Sequence, residues 1–356
     1  MTRAGAPAAI GSPRARWRRR VLALAAISAL GLASVACMRK PASPPDVDPG
    51  AGAAALKLVL RPIEVDLTAA PGVRLLRASA MTAASPAFGG FSAIEVSGDG
   101  ARIVAISDAG SWLSGALSRE DGLITALVAD GWGPLHDASG AVQPDEGRDA
   151  EGLALGPDGA LMISFERDHR VSRYAASGGA ERVLRRFGPE AGFGANSGFE
   201  ALAMRPGGAL LAILEAPRDD DLAQRALIID ASGSGSGLES GLESGLESVR
   251  EIEIAKPLGL RIVGADIDAE GRLWVVERGF TLIGGFFFEL AVLAPEGAGY
   301  GPRRFLGRVQ GAGADNAEGL AVWRDADGAT RLLVVSDDNF MPFQRNILYE
   351  FAVDAP

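Results

Sequence analysis

The sequence contains a single cysteine and only two histidines in 356 residues. The lone Cys37 excludes an intrachain disulfide, so stability has to come from a large hydrophobic core. His136 and His169 are too few for a histidine-rich zinc site, and they leave room for few Ser-His-Asp triads. The Gly-x-Ser-x-Gly nucleophile motif does not occur in the sequence. Zinc-dependent and serine-hydrolase chemistry are therefore disfavoured.

Positive charge is scarce after the N-terminus. The formal net charge is −10, and all six basic residues among the first 36 are arginines without an acidic partner. The rest of the chain therefore has 29 basic against 45 acidic residues. The electrostatic field of this negative net charge repels nucleic acids and anionic membranes. We therefore expect no binding to nucleic acids. A polyanionic substrate would need metal ions to intervene.

The first 36 residues are typical of a signal peptide. A basic segment with Arg14, Arg16 and Arg18–Arg20 precedes the apolar run Val21–Ala36, which is too short for a comfortable membrane span. Arg18-Arg19-Arg20-Val21-Leu22 resembles a twin-arginine export signal, and general secretion is an equally open route. We therefore predict an exported protein.

The end of the apolar run, Ser34-Val35-Ala36-Cys37, resembles a bacterial lipoprotein processing site. This resemblance implies lipidation of Cys37 and a periplasmic or outer-membrane-anchored lipoprotein, in which the lipid is the one contact with a membrane. Ser34 departs from the larger aliphatic residue usual there, and ordinary cleavage after Ala36 is the alternative. Residues 37–56 are rich in Pro, Ala and Gly, which predicts a flexible tether.

The rest of the chain repeats a short pattern and has few helix-like stretches. Each copy has a short apolar strand, a turn with glycine, a second apolar strand and an acidic residue at its end. The clearest copies are Ala150–Glu166, Phe199–Glu215 and Ala317–Asp337, with looser ones at Phe91–Asp108 and Gly264–Glu277. Repeats of this kind predict an all-β fold, a single β-propeller of four-stranded blades over residues 57–356. A β-sandwich is the rival fold, but it does not explain why the acidic positions recur.

About six blades are predicted, with five or seven as the alternatives. Five copies are visible, and Leu58–Leu76 together with Asn346–Val353 could form a sixth blade that closes the ring from both ends. Residues 232–248 contain Ser-Gly and Gly-Leu-Glu-Ser repeats, which predict a disordered low-complexity insertion.

The recurring acids are expected at one end of the central channel. In a propeller the innermost strand begins, and the second strand ends, on the same face. Carboxylates gathered there repel one another and either raise their pKa values or recruit cations, above all Ca²⁺. Solvation, or pairing with nearby arginines, is the alternative for any single acid. The predicted metal ligands are Asp108, Glu151, Glu200, Glu215, Glu277, Asp337 and Asp338.

A series of motifs over roughly residues 85–352 resembles the phytase-like family known as "esterase-like activity of phytase". In order they include Phe88–Ser92, Ser107–Gly110, Asp149–Leu153, Ser164–Arg167, Gly198–Leu202, Val276–Arg278, Asn316–Leu320 and Ser336–Phe340. The resemblance implies a β-propeller, in agreement with the repeats, and hydrolysis of a phosphate ester.

The site residues follow from these two arguments. Glu151, Glu166 and Glu318 are candidate acid-base residues, and His169 is a candidate acid. Arg167, Arg278 and Arg345 could hold a phosphate or carboxylate through paired hydrogen bonds. The leading hypothesis is a Ca²⁺-dependent phosphoesterase with a small-molecule ester or phosphoester substrate. The alternatives are a non-catalytic propeller that binds a ligand or protein at the cell envelope, and a Ca²⁺-centred esterase or lactonase.

Overall fold

The computed structural model describes residues 56–188, 193, 198–215, 221–231 and 246–354. These residues belong to one compact unit, Pro44–Pro356. The predicted signal peptide, Cys37, all but the last residue of the tether and most of the predicted insertion lie outside the described residues. Residues 246–248 of that insertion form the start of a strand. Within the described ranges, no helix has the length and apolar character needed to cross a membrane.

The described residues form five antiparallel sheets, which are the blades of a propeller. Blade 1 contains β4 (Phe91–Val96), β5 (Arg102–Ser107), β6 (Ser111–Glu120) and β7 (Leu123–Pro134). Blade 2 contains β8 (Ala150–Leu155), β9 (Leu161–Phe165), β10 (Arg170–Tyr174) and β11 (Glu181–Arg186). Blade 3 contains β12 (Phe199–Met204), β13 (Leu210–Leu214), β14 (Ala223–Ala231) and β15 (Leu246–Ala255).

The last two blades also take strands from the start of the domain. Blade 4 contains β16 (Arg261–Ile267), β17 (Leu273–Thr281), β18 (Gly285–Glu296) and β19 (Gly299–Gln310), with β2 (Asp66–Ala69) at its outer edge. Blade 5 contains β20 (Asn316–Arg324), β21 (Thr330–Asp337) and β22 (Asn346–Val353), followed by β3 (Val73–Thr82) and β1 (Val59–Pro62). The prediction of an all-β propeller is confirmed.

The prediction of about six blades was wrong, because the described chain forms five. The two segments proposed as a sixth blade instead complete blade 5, where β22 pairs with β21 on one side and with β3 on the other. Strands from both ends of the domain therefore share one sheet, and this sheet closes the ring. Strands from the two ends of the domain close the ring, as predicted. They do so by completing blade 5 and do not form a sixth blade.

The first two strands of a blade are joined by the turns that the repeats predict. Gly159 and Gly328 have φ values of 80°, and Gly207 has a φ of 97°. Residues that carry a side chain rarely adopt this left-handed backbone conformation, so glycine is the residue suited to these tight turns. The hydrophobic core lies between neighbouring blades, as where Trp274 and Phe288 of blade 4 pack with Tyr349 of blade 5.

The inner strands β4, β8, β12, β16 and β20 surround a very narrow channel. Each has a small residue at the same position, namely Ala93, Gly152, Ala201, Gly264 and Gly319. A Cβ atom on Gly264 would lie 2.2 Å from the carbonyl oxygen of Glu318, and one on Gly319 would lie 2.8 Å from the Cα of Ala93. Small residues therefore allow five inner strands to approach closely, and they leave the channel mouth to the residues that precede them.

Candidate functional site

A β-bulge at the start of every inner strand directs the acidic residues of the repeats. The pairing register shifts between Phe199 and Ala201 in β12, between Ala317 and Gly319 in β20, and between Ala150 and Leu153 in β8. The extra residues are Glu200, Glu318 and the pair Glu151-Gly152, whereas β4 and β16 have Ser92 and Val263 there. A bulge re-aims the side chain of its extra residue. Glu200 and Glu318 consequently line the channel.

Three carboxyl groups of blade 2 form a compact cluster, named here the blade-2 carboxyl cluster. Asp149, Glu151 and Glu166 each offer an oxygen, and these oxygens lie within 4.8 Å of one another. The backbone N–H of Glu166 donates to the carbonyl of Asp149 at 2.8 Å, which fixes the end of β9 against the start of β8. Arg167 Nε lies 2.9 Å from Asp149 Oδ2 and offsets part of the negative charge.

Glu200 lies among other acids at the channel mouth. Burial raises the pKa of Glu200 to about 8, and the nearby carboxylates of Glu318, Glu215 and Glu166 raise it too. The Arg278 guanidinium acts in the opposite direction. The net result is a pKa well above the ordinary range of a glutamate. At neutral pH the Glu200 side chain is therefore a carboxylic acid that can donate a proton.

Arg278 is the cation at the centre of the acids from blades 3 and 5. It donates a hydrogen bond to the carboxylate of Glu318, and it interacts electrostatically with Glu200 and Asp337. Asn316 Nδ2 also donates to Glu318 Oε1 at 3.0 Å and to Asp337 Oδ2 at 3.3 Å. Burial raises the pKa of Glu318, and Arg278 opposes that increase.

The structure brings together most of the residues that the repeats single out. Direct electrostatic neighbours connect eight of them at the channel mouth: Asp108, Glu151, Glu166, Glu200, Glu215, Arg278, Glu318 and Asp337. All five blades contribute to this set, so it is a property of the ring and not of one hairpin. The carboxyl groups recur in register and meet in space.

Glu277 lies apart from this set. It is fully buried and accepts hydrogen bonds from Arg303, whose Nε lies 2.9 and 2.8 Å from its two oxygens. Burial raises the pKa of Glu277 to about 7, and Arg303 opposes the increase. Strand alternation is the cause, because Val275 on the same face packs against blade 3, whereas Val276, next to it on the other face, packs against blade 5. Arg278 lies on the same face of β17 as Val276, the face that packs against blade 5.

Four other predicted site residues have local partners. Asp338 Oδ1 accepts from the backbone N–H groups of Gly90 at 3.0 Å and Phe340 at 3.2 Å, so this carboxylate fixes two loops. Arg345 donates to the carbonyl of Ala312 at 2.7 Å and lies 3.4 Å from Asp315. The His169 ring packs on Phe193 with 4.6 Å between ring centres, and Arg167 is half-exposed beside Asp149.

Three residues of the site were missed by the sequence reasoning. Asp149 completes the blade-2 carboxyl cluster, Asn316 links Glu318 to Asp337, and Arg261 lies 3.1 Å from Glu215. The first two have a signal in the sequence, because Asp149-Ala-Glu151 and Asn316-Ala-Glu318 repeat the same spacing. The position of Arg261 carries no such signal.

Comparison with known proteins identifies a family. A family model described as "Phytase-like: Esterase-like activity of phytase" matches residues 86–340. No curated protein matches the sequence. Among solved structures, the chain is similar to a PQQ-bound aldose sugar dehydrogenase from Streptomyces coelicolor, with 14% sequence identity and a TM-score of 0.45. The alignment covers 82% of this chain and 99% of the dehydrogenase chain. A gluconolactonase from Xanthomonas campestris is 15% identical over 88% of this chain and 98% of its own, with a TM-score of 0.37.

Proposed function

Because the chain belongs to the phytase-like family, we propose that it is a Ca²⁺-dependent hydrolase of phosphate esters that acts at the mouth of the propeller channel. The observation that carries the proposal is the position of the blade-2 carboxyl cluster beside a protonated Glu200. Glu166 belongs to the cluster and also raises the pKa of Glu200. The proposed cation site and the proposed proton donor are therefore adjacent, because Glu166 belongs to the first and acts on the second.

The residues at the mouth fit Ca²⁺. The cluster offers oxygen donors alone, in the spacing that a cation could bridge, and Ca²⁺ prefers carboxylate and carbonyl oxygens. When bound, Ca²⁺ supplies the positive charge that a phosphate group needs at this acidic face. Asp149, Glu151 and Glu166 would hold it, and the half-exposed guanidinium of Arg167 would remain available to a phosphate oxygen.

The chain's own carboxyl groups supply the proton transfers. Glu200 keeps its proton up to about pH 8 and can donate it to the oxygen of the leaving alcohol. Glu318 accepts hydrogen bonds from Arg278 and Asn316, and its carboxylate can accept a proton from the attacking water. Two carboxyl groups whose environments separate their pKa values are a recurring acid-base arrangement. The sequence adds the proposal that this chemistry takes place outside the cytoplasm, on a protein anchored through Cys37.

Phosphate release is the test of the proposed reaction. We expect the purified protein to release phosphate from phytate or p-nitrophenyl phosphate in Ca²⁺, to stop when EGTA is added, and to recover when Ca²⁺ is restored. Magnesium in place of calcium is the matched control for ionic strength and charge.

Other substrates distinguish the proposed phosphate-ester hydrolase from a carboxylic-ester hydrolase and from a non-catalytic propeller. Hydrolysis of p-nitrophenyl acetate or a lactone, without release of phosphate from any ester, would assign the site to a carboxylic-ester hydrolase. Binding of Ca²⁺ with no turnover of either class would favour the non-catalytic cell-envelope propeller.

A further inference from the structure

The hairpin of β17 and β18 carries an exposed apolar tip. Strand pairing continues to Thr281 and Gly285, and the first two residues of the three-residue turn, Leu282 and Ile283, are 79% and fully exposed. Phe280, just below them, is 41% exposed. Single exposed apolar residues are ordinary, but adjacent ones on a projecting element mark a contact with another molecule.

The tip is an ordered part of the blade. The Gly284 N–H donates to Thr281 Oγ1 at 2.9 Å, and the rings of Phe280 and Phe286 form an edge-to-face pair at 5.0 Å. On the opposite face a Cβ atom on Gly279 would lie 2.4 Å from the Phe287 ring, so the hairpin is closely packed there. Because these contacts fix the turn, Leu282 and Ile283 are held outward before any ligand arrives, which lowers the entropy cost of binding.

The hairpin rises from the channel mouth. Arg278, which donates to Glu318, lies on the same strand two residues before Phe280 and on the same face. A rise of roughly 3.3 Å per residue places the Phe280 backbone about 7 Å beyond that of Arg278. The exposed apolar side chains therefore lie on the hairpin that extends outward from Arg278, with the Leu282 backbone about 13 Å farther along the chain.

A loop of the neighbouring blade 5 carries another exposed apolar residue. Phe343, in the loop between β21 and β22 of blade 5, is 64% exposed. Its loop is joined through the Arg345 side chain to the carbonyl of Ala312, in the turn Gly311–Gly313 that β18 contacts. Strand β18 of the hairpin in blade 4 and the loop of Phe343 in blade 5 thus both contact this turn.

We propose that the tip of the β17–β18 hairpin is a subsite for the apolar part, an alkyl chain or an aromatic ring, of the ester whose phosphate binds at the channel mouth. This inference rests on the proposed function and narrows its substrate class to esters of apolar alcohols. The acids at the mouth argue against an anionic membrane surface as the occupant, because Glu151, Glu166 and Glu318 would face it.

Binding of two non-hydrolysable probes tests the subsite. By calorimetry in Ca²⁺, we expect octylphosphonate to bind the protein about tenfold more tightly than butylphosphonate, because four more methylenes are partly buried. The double variant Leu282→Ser, Ile283→Ser should bind both probes with the affinity that the wild type has for butylphosphonate. Val128→Ser, an exposed position on β7 of blade 1, is the matched control and should keep the tenfold preference.

Each other result overturns the subsite. Equal affinity for the two probes in the wild type, an unchanged preference in the double variant, or no binding of octylphosphonate would do so. Binding to phosphatidylcholine vesicles that the double variant loses, without a chain-length preference, would assign the tip to a lipid surface instead. Melting temperatures of all variants should match, since the substituted side chains are exposed, and Ile283→Ser alone is the substitute if the double variant does not fold. Failure of the proposed reaction is seen separately, as a chain-length preference in binding without release of phosphate from any ester.

Discussion

Replacing Glu200 with glutamine is expected to lower kcat for phosphate-ester hydrolysis by about a thousandfold at pH 7, since a positioned general acid contributes roughly 10²–10⁴. Glutamine keeps the size of the side chain but cannot release a proton to the leaving oxygen. Glu253→Gln is the matched control, because Glu253 is an exposed acid on the outer strand of the same blade. A loss of less than about threefold in Glu200→Gln would remove Glu200 from the reaction.

The same substitution has a signature in stability that does not depend on turnover. Burial raises the pKa of Glu200 from 4.5 to about 8. The unfolded chain therefore loses this proton near pH 4.5 and the folded chain keeps it until about pH 8, so the wild type loses stability as pH rises through that interval. Glu200→Gln removes this loss, and urea unfolding in EGTA should show a gain that grows to about 4 kcal/mol at pH 8. An equal gain at pH 5 and pH 8 would contradict the assigned protonation.

Replacing Arg278 with methionine is expected to destabilise the fold by about 3 kcal/mol at pH 8, because removing one partner leaves largely buried carboxylates without compensation. Glu318, Glu200 and Asp337 all interact with this one guanidinium. Methionine retains the length of the aliphatic part, so the change is chiefly one of charge. At pH 5 the cost should be much smaller, because burial raises the pKa values of Glu200 and Glu318 and the protonated forms need no cation.

Urea unfolding of the two proteins in EGTA, at pH 5 and pH 8, measures this difference. Arg304→Met is the control, since Arg304 is exposed on β19 of the same blade. A cost for Arg278→Met that is equal at both pH values would show that Arg278 stabilises by packing alone. A cost that is also present in the control would show that it is not specific to the channel mouth.

The sequence was sufficient to predict the propeller and the meeting of most of its acids. Both follow from a repeat in which Glu151, Glu200 and Glu318 occupy the same place, because equal units around a ring present equal positions to its centre. Blade number could not be obtained in the same way. A strand such as β22 has the same apolar pattern whether it begins a new blade or completes an old one, and its partner β3 lies more than 250 residues earlier.

Some predicted site residues lie apart from the channel mouth because the side chains of a strand alternate between its two faces. Glu277 and Arg278 are neighbours in the sequence, yet one is held by Arg303 and the other by Glu318. Alternation predicts that they diverge, but a bulge changes which residues face the channel, and the sequence does not fix its position. Asp149 joins the cluster because its carbonyl accepts the backbone N–H of Glu166, which holds Asp149 beside the end of β9.

Calorimetric titration of Ca²⁺ into the wild type and into Glu151→Gln tests the central claim most directly. The claim is that inner-strand carboxyl groups meet at the channel mouth to form a cation site. It predicts saturable binding in the wild type and a weakening of about a hundredfold when one carboxylate of the blade-2 carboxyl cluster is lost. Absence of Ca²⁺ binding in the wild type, or equal affinity in the two proteins, would contradict it.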